Sequence, residues 1–133
     1  DLLNTLFKKI LNGAAIVAMH KNKYWHSGNG LTLDLGAFVT ALEFATEKEA
    51  VVIGKPNPHL FQLAVKPWGL SFQSIYMVGD DIKGDIGGAN NVGMQSILVK
   101  TGKYREESLK RSEITPDFII NSVADLPELL QLY

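Results

Sequence analysis

Three carboxylates crowd one short stretch of this chain: Asp80, Asp81 and Asp85, in Val78-Gly-Asp-Asp-Ile-Lys-Gly-Asp85. Like charges this close make one another costly to ionise. A hard divalent cation such as Mg²⁺ relieves that repulsion by taking carboxylate oxygens as ligands. The step from Asp80 to Asp85 spans a turn, so both can face one ion, while Asp81 then points elsewhere and can cap a helix. A cation stands in Gly54-Lys-Pro56, at Lys55. A lysine beside a metal-holding pair of acids suits phosphoryl transfer, because metal and ammonium share the charge on the phosphate oxygens. Each residue also has a plainer reading. Acids after a strand often only cap the next helix, and a lysine before a proline is often a solvated loop residue.

Periodicity indicates the elements that must position these residues. Ile75 to Val78 is a short apolar run that reads as a buried parallel-type strand. Past the acids, Ile86, Ala89 and Val92 recur at helical spacing up to Gly93, which suits the position just after a helix. The acids therefore sit on a strand-to-helix turn at the carboxyl end of a strand, the edge where open α/β sheets bind ligands. Val51 to Ile53 is a second strand and runs into Lys55. Were the two strands neighbours, Lys55 and Asp80 would share one crevice. Asn57 is a good N-cap and Pro58 a good first residue for a helix with Leu60, Phe61, Ala64 and Val65 inward, ended by Pro67 and Gly69. Gln95 to Val99 and Phe118 to Ile120 are further strands, with a polar helical turn at 105–111 between them. Ser122 and Asp125 form a capping-box pattern for a last helix running to the C-terminus.

The first third of the chain reads differently. Leu2, Leu3, Leu6, Phe7, Ile10 and Leu11 make a helical stripe closed by Gly13, and Ala14 to Met19 reads as a buried strand. Residues 23–34 look like a hairpin around Ser27-Gly-Asn-Gly30. Gly36 to Thr46 is a second helix with Phe38, Val39, Leu42 and Ala45 as its inner face. The pattern changes near residues 46–50, the natural boundary. From there strand–helix alternation implies an α/β fold with a parallel sheet and helices on its faces.

Composition narrows the classes. The 133 residues fit one domain, or one domain with part of another, and 46% are apolar, enough for a core. The net charge of −1 points to neither nucleic acid nor a membrane surface as partner, and no run is long enough for a transmembrane helix. The absence of cysteine excludes disulfides and thiolate metal sites and fits a cytoplasmic setting. His20, His26 and His59 lack metal-ligand spacing, and Trp25 and Trp68 read as packing residues. Gly28-Asn-Gly30 lacks the third glycine and following helix of a dinucleotide fingerprint, so it is a hairpin turn. Thr101-Gly-Lys-Tyr104 follows a strand end and is either a crevice rim or a plain loop.

Gly54-Lys-Pro56 with Val78-Gly-Asp-Asp-Ile-Lys-Gly-Asp85 resembles the haloacid dehalogenase superfamily of phosphatases. Gly87-Gly-Ala-Asn-Asn-Val-Gly-Met94 and Ile97-Leu-Val-Lys-Thr-Gly-Lys-Tyr104 are similar to its branch with a large α/β cap. That branch includes the phospholysine phosphohistidine inorganic pyrophosphate phosphatases and hydrolase domain-containing proteins, with NagD-type phosphatases more distant. Gly36 to Thr46 is similar to the segment leading from that cap back to the core. The resemblance implies a Rossmann-like core sheet for residues 47–133 and the latter part of a cap for residues 1–46. It implies that Lys55 steadies the phosphoryl group and contacts substrate. It further implies that Asp80 is a Mg²⁺ ligand and that Asp85 supports the same metal or its waters. The implied partner is a small phosphorylated substrate, and the 23–34 hairpin is a candidate for contact with it.

One departure stands out. The superfamily's nucleophile lies in an N-terminal Asp-x-Asp motif, and this sequence contains no Asp-x-Asp. The chain opens at Asp1 directly into a helical pattern, so it is expected to be the C-terminal portion of such an enzyme and inactive alone. A missing core strand would leave a sheet edge open to pairing, and with it to homo-oligomers. Two other classes compete. One is a receiver-like domain, although there the paired acids come early and the lysine late; the other is a non-catalytic metal- or phosphate-binding domain.

Overall fold

A computed structural model of the chain describes residues 1–131; residues 132 and 133 and the side chain of His26 lie outside the described residues. The end of the last expected helix and the reading of His26 therefore lie outside them too. The chain divides into two compact units, one running from Asp1 to Gly54 and the other from Lys55 onward.

In the first unit, helix α1 spans Leu2–Leu11 and strand β1 is Val17–Ala18. Strands β2 (Tyr24–Ser27) and β3 (Gly30–Leu33) form the expected antiparallel hairpin, with Tyr24 opposite Leu33 and Ser27 opposite Gly30. Helix α2, Leu35–Thr46, begins where the Asp34 carboxylate accepts the Leu35 N–H at 2.7 Å. Strand β4, Val51–Val52, pairs in parallel with β1. Ile10, Ala18, Val39 and Leu42 are buried here.

Several sequence expectations for this unit are corrected. Only Ala18 of the strand expected to be buried has lost its solvent; Val17 and Met19 are 64% and 72% exposed. Two-residue strands cover little on either face. Phe38 and Ala45 are also exposed, and Gly36 and Thr46 are buried instead. The Thr46 hydroxyl donates to the Leu42 carbonyl at 2.7 Å, which satisfies it inside the helix.

The second unit is the expected parallel α/β layer. Strands β5 (Tyr76–Gly79), β6 (Gln95–Val99) and β7 (Phe118–Ile120) lie in the order β5-β6-β7, all parallel. Helix α3 (Pro58–Val65) precedes them, α4 (Gly88–Val92) and α5 (Glu106–Lys110) connect them, and α6 (Leu126–Gln131) follows. The central strand is the most buried, with Ile97 and Leu98 essentially solvent-free, as a strand between two neighbours must be. Ser96 is also solvent-free, and its amide and hydroxyl donate to Asp117 Oδ2 at 2.7 and 2.9 Å. Phe61, Val65, Ala89 and Met94 form a buried cluster against Phe72, Ile75, Met77 and Val92. Asn57 caps α3 through the His59 N–H, Gly93 closes α4 at φ +79°, and Ser122 with Asp125 forms a capping box.

Lys55 follows β4 and is not itself part of a strand. β4 pairs with β1, and β5 pairs with β6 alone among the described residues. Pairing between positions so far apart in sequence leaves no trace in local periodicity.

Candidate active site

β5 stops at Gly79, and the chain turns through Asp80 and Asp81 into a π-helical turn, Ile82–Gly87, before α4 begins. Such wide turns inside helices recur at functional sites. Asp85 lies within it and is 3% exposed. Its Oδ2 accepts the backbone N–H of Asp80 at 3.2 Å and of Asp81 at 3.1 Å. Its Oδ1 accepts the Lys55 ammonium at 2.5 Å. One buried carboxylate thus fixes both the strand end and the lysine. Gly79 makes room for it, since a Cβ there would lie 2.3 Å from Asp85 Oδ2.

Asp81 faces the other way and caps the turn. Its Oδ1 accepts the N–H groups of Lys83 at 3.1 Å and Gly84 at 2.9 Å, and its Oδ2 meets the Lys103 ammonium at 3.1 Å. Burial raises this carboxyl's pKa, but the Gly84 amide, the Lys103 ammonium and the Lys83 amide together outweigh it and hold the group below its ordinary value. Asp80 Oδ2 accepts the Lys103 N–H at 2.7 Å, while Asp80 Oδ1 accepts no hydrogen bond from the described residues. The expected repulsion among the three acids is therefore met by two lysines and five backbone N–H groups.

Residues 52–126, more than half of the chain and the whole of this constellation, match the model of the HAD-hydrolase-like family. The chain belongs to that family. Its similarity to curated members is substantial. It is 48% identical over 105 residues to the haloacid dehalogenase-like hydrolase domain-containing protein 2 of Bos taurus, covering 79% of this chain and 40% of that protein. It is 38% identical over 130 residues to the phospholysine phosphohistidine inorganic pyrophosphate phosphatase of Xenopus laevis, covering 96% and 48%. Among solved structures, the 4-nitrophenylphosphatase of Thermotoga maritima superposes with a TM-score of 0.86 at 30% identity, over 95% of this chain and 49% of that one. The glycerol phosphate phosphatase of Mycobacterium tuberculosis, solved in complex with magnesium, superposes with a TM-score of 0.82 at 31% identity, over 93% and 38%. The chain spans about half the length, or less, of the relatives it matches.

Within this HAD-like unit, the residues singled out by sequence meet as a connected set: Lys55 on Asp85, and Asp85 on the backbone of Asp80. The donors also speak to the family's metal. Mg²⁺ takes one or two carboxylates and completes its shell with water and phosphate. Asp80 Oδ1, a hard oxygen with no partner among the described residues at a sheet's carboxyl edge, fits one such ligand. Asp85 has both oxygens engaged, by Lys55 and by two amides, an arrangement that suits support of Asp80. Among the described residues no three His, Cys, Asp or Glu side chains converge as a metal cluster, so the protein donors here amount to part of a shell.

Sequence reasoning underrated Gly102 and Lys103, the middle of Thr101-Gly-Lys-Tyr104. Lys103 contacts both Asp80 and Asp81, and a Cβ on Gly102 would lie 1.9 Å from Asp80 Oδ2. The available signal was position: the loop leaves the strand that pairs with the acidic one. In the first unit, a hollow of about 500 Å³ is lined by Lys21, Thr40, Glu43 and Phe44 among others, and holds the Lys21–Glu43 ion pair at 2.6 Å. None of the site residues takes part in it. No helix among the described residues is long and apolar enough to cross a membrane.

Proposed function

We propose that this chain is the C-terminal portion of a Mg²⁺-dependent phosphatase acting on a small phosphorylated substrate. Residues 1–46 would belong to its cap and 47–133 to its core. The observation that carries the reading is the Lys55–Asp85 pair at 2.5 Å, anchored by the same carboxylate that orients Asp80. In this reading Asp80 Oδ1 is the metal ligand and Asp85 supports it by fixing the backbone on which Asp80 stands. Lys55 directs its ammonium at a phosphate oxygen and steadies the phosphoryl group. When bound, Mg²⁺ supplies further positive charge to those oxygens.

The nucleophile would come from an Asp-x-Asp segment encoded upstream. Its carboxylate oxygen attacks phosphorus, the ester P–O bond breaks, and the leaving oxygen takes a proton. Water then cleaves the aspartyl-phosphate to release inorganic phosphate and regenerate the carboxylate. Alone, this chain would bind the metal weakly and not turn over. The relatives named as phosphatases, one of them solved with magnesium, support the reaction class and the metal, and the absence of Asp-x-Asp here supports inactivity of this chain alone. A cytoplasmic location belongs to the same reading, and so does self-association of this chain alone through the sheet edge that a missing core strand leaves.

The test is hydrolysis of 4-nitrophenyl phosphate by this chain and by the longer product of its parent gene, each with and without Mg²⁺. Mg²⁺-dependent turnover by the longer protein alone is expected, and Asp80→Asn should lower it by about 100-fold or more. Wild-type turnover in that variant would overturn the metal-ligand assignment.

A further inference from the structure

The two lysines of the site hold the acids in different ways. Lys55 meets the buried Asp85 through its side chain, whereas Lys103 meets Asp80 through its main chain and Asp81 through its ammonium. We propose that Gly102-Lys103, in the loop after β6, is a positioning clip that fixes the Asp80 carboxylate so that Oδ1 faces the metal. The proposal rests on the reading of Asp80 as a Mg²⁺ ligand and deepens it by naming what sets that ligand's orientation.

Two observations carry the clip. The Lys103 amide lies 2.7 Å from Asp80 Oδ2, a short charge-assisted bond of the stronger kind. Gly102 stands at φ +53°, in the left-handed region, and its Cα is so close to Asp80 that a Cβ would lie 1.9 Å from Oδ2. The Lys103 ammonium meets the neighbouring acid, Asp81 Oδ2, at 3.1 Å, a contact on which the amide's hold on Asp80 does not depend. A carboxylate on a partly exposed turn would otherwise rotate about its χ angles. With one oxygen held by an amide from the neighbouring strand's loop, the other keeps a fixed direction, as a ligand needs if metal binding is not to cost rotamer entropy. Lys103 is a positioning residue here, and it acts through its backbone.

That distinction gives variants with opposite signs. Gly102→Ala should displace Asp80 and weaken divalent-cation binding. Lys103→Ala keeps the amide and removes a positive charge near the metal, so binding should be unchanged or up to about 3-fold tighter. The probe is Mn²⁺ standing in for Mg²⁺, titrated into the 133-residue chain and followed by loss of the free-ion electron paramagnetic resonance signal. Folding is checked by circular dichroism. The expected result is at least about 10-fold weaker Mn²⁺ binding by Gly102→Ala, with Lys103→Ala not weakened. Native folding with wild-type affinity in Gly102→Ala overturns the clip, and so does loss of affinity in Lys103→Ala. A wild-type chain that takes up no Mn²⁺ overturns the metal reading and the clip's purpose with it. Where Gly102→Ala does not fold, Asp80→Ala decides. Hydrogen exchange at the Lys103 amide should speed up at least about 10-fold when its acceptor is removed, and unchanged exchange overturns the clip.

Discussion

The two units of this chain use the same kinds of residue to opposite effect. The unit from Lys55 onward buries its apolar strand residues; Ile97 and Leu98 are 0% and 1% exposed at the centre of three parallel strands. The unit from Asp1 to Gly54 also has a parallel pair, yet Val17, Met19, Val51 and Ile53 are all at least half exposed. Its ion pairs, Lys21 with Glu43 and His20 near Asp34, stand apart from one another, whereas in the other unit Lys55–Asp85 and Lys103–Asp81 converge on one turn and the exposed Glu106–Lys110 pair lies elsewhere. Burial and the convergence of these ion pairs therefore go together. A buried carboxylate such as Asp85 can hold a lysine and two amides in a fixed geometry because the strands around it are packed, and an exposed ribbon offers no such support.

The contrast can be broken at its largest point first. Leu98→Ala should cost about 3 kcal/mol of stability by emptying a solvent-free site. A loss under 1 kcal/mol in urea denaturation would mean that the central strand is not the packed core described here. Next, Asp85→Ala should cost about 2 kcal/mol, since it strands the Asp80 and Asp81 amides and releases Lys55. A neutral result would mean that the turn holds itself without that carboxylate. Val51→Thr should fall within about 0.5 kcal/mol of wild type, because the side chain is 59% exposed and its backbone bond to the Ile16 carbonyl survives. A large loss there would erase the contrast between the units.

The smallest effect lies in the first unit's own ion pair. The Lys21 hydrogen bond first, then the Ala50 amide and the Lys21 charge, hold the Glu43 carboxyl below its ordinary value against burial that raises it. A depressed folded-state pKa stabilises the fold above the unfolded value of about 4.3. That contribution disappears as pH falls through the lower folded value. Glu43→Gln should flatten this acid limb of the stability curve. An unchanged acid limb would show that the pair contributes nothing in solution.

Much of the second unit was legible in sequence. Apolar runs bounded by turn residues located β5, β6 and β7, and local chemistry marked the Asn57 cap, the Gly93 terminus and the Ser122–Asp125 capping box. These are short-range signals, carried by residues within a few positions of one another. The pairing of β4 with β1 was not legible, because it joins residues 17–18 to 51–52 through hydrogen bonds that any side chains allow. The exposure of Val17 and Met19 was hidden for a related reason: an apolar run looks the same whether or not something covers it. At the site, Lys55, Asp80 and Asp85 could be named from residue type and spacing. The part of Lys103 could not, since its contact with Asp80 is made by a backbone amide, which every non-proline residue possesses.

The most direct test of a metal-holding turn confined to the second unit is a Mg²⁺ titration of the whole chain, followed by backbone amide chemical shifts. Saturable shifts are expected at Asp80, Asp81, Asp85, Gly102 and Lys103, with Val17, Glu43 and Val51 unmoved. Unmoved amides at Asp80 and Lys103, or shifts centred on Glu43, would contradict the placement of the chemistry on the turn after β5.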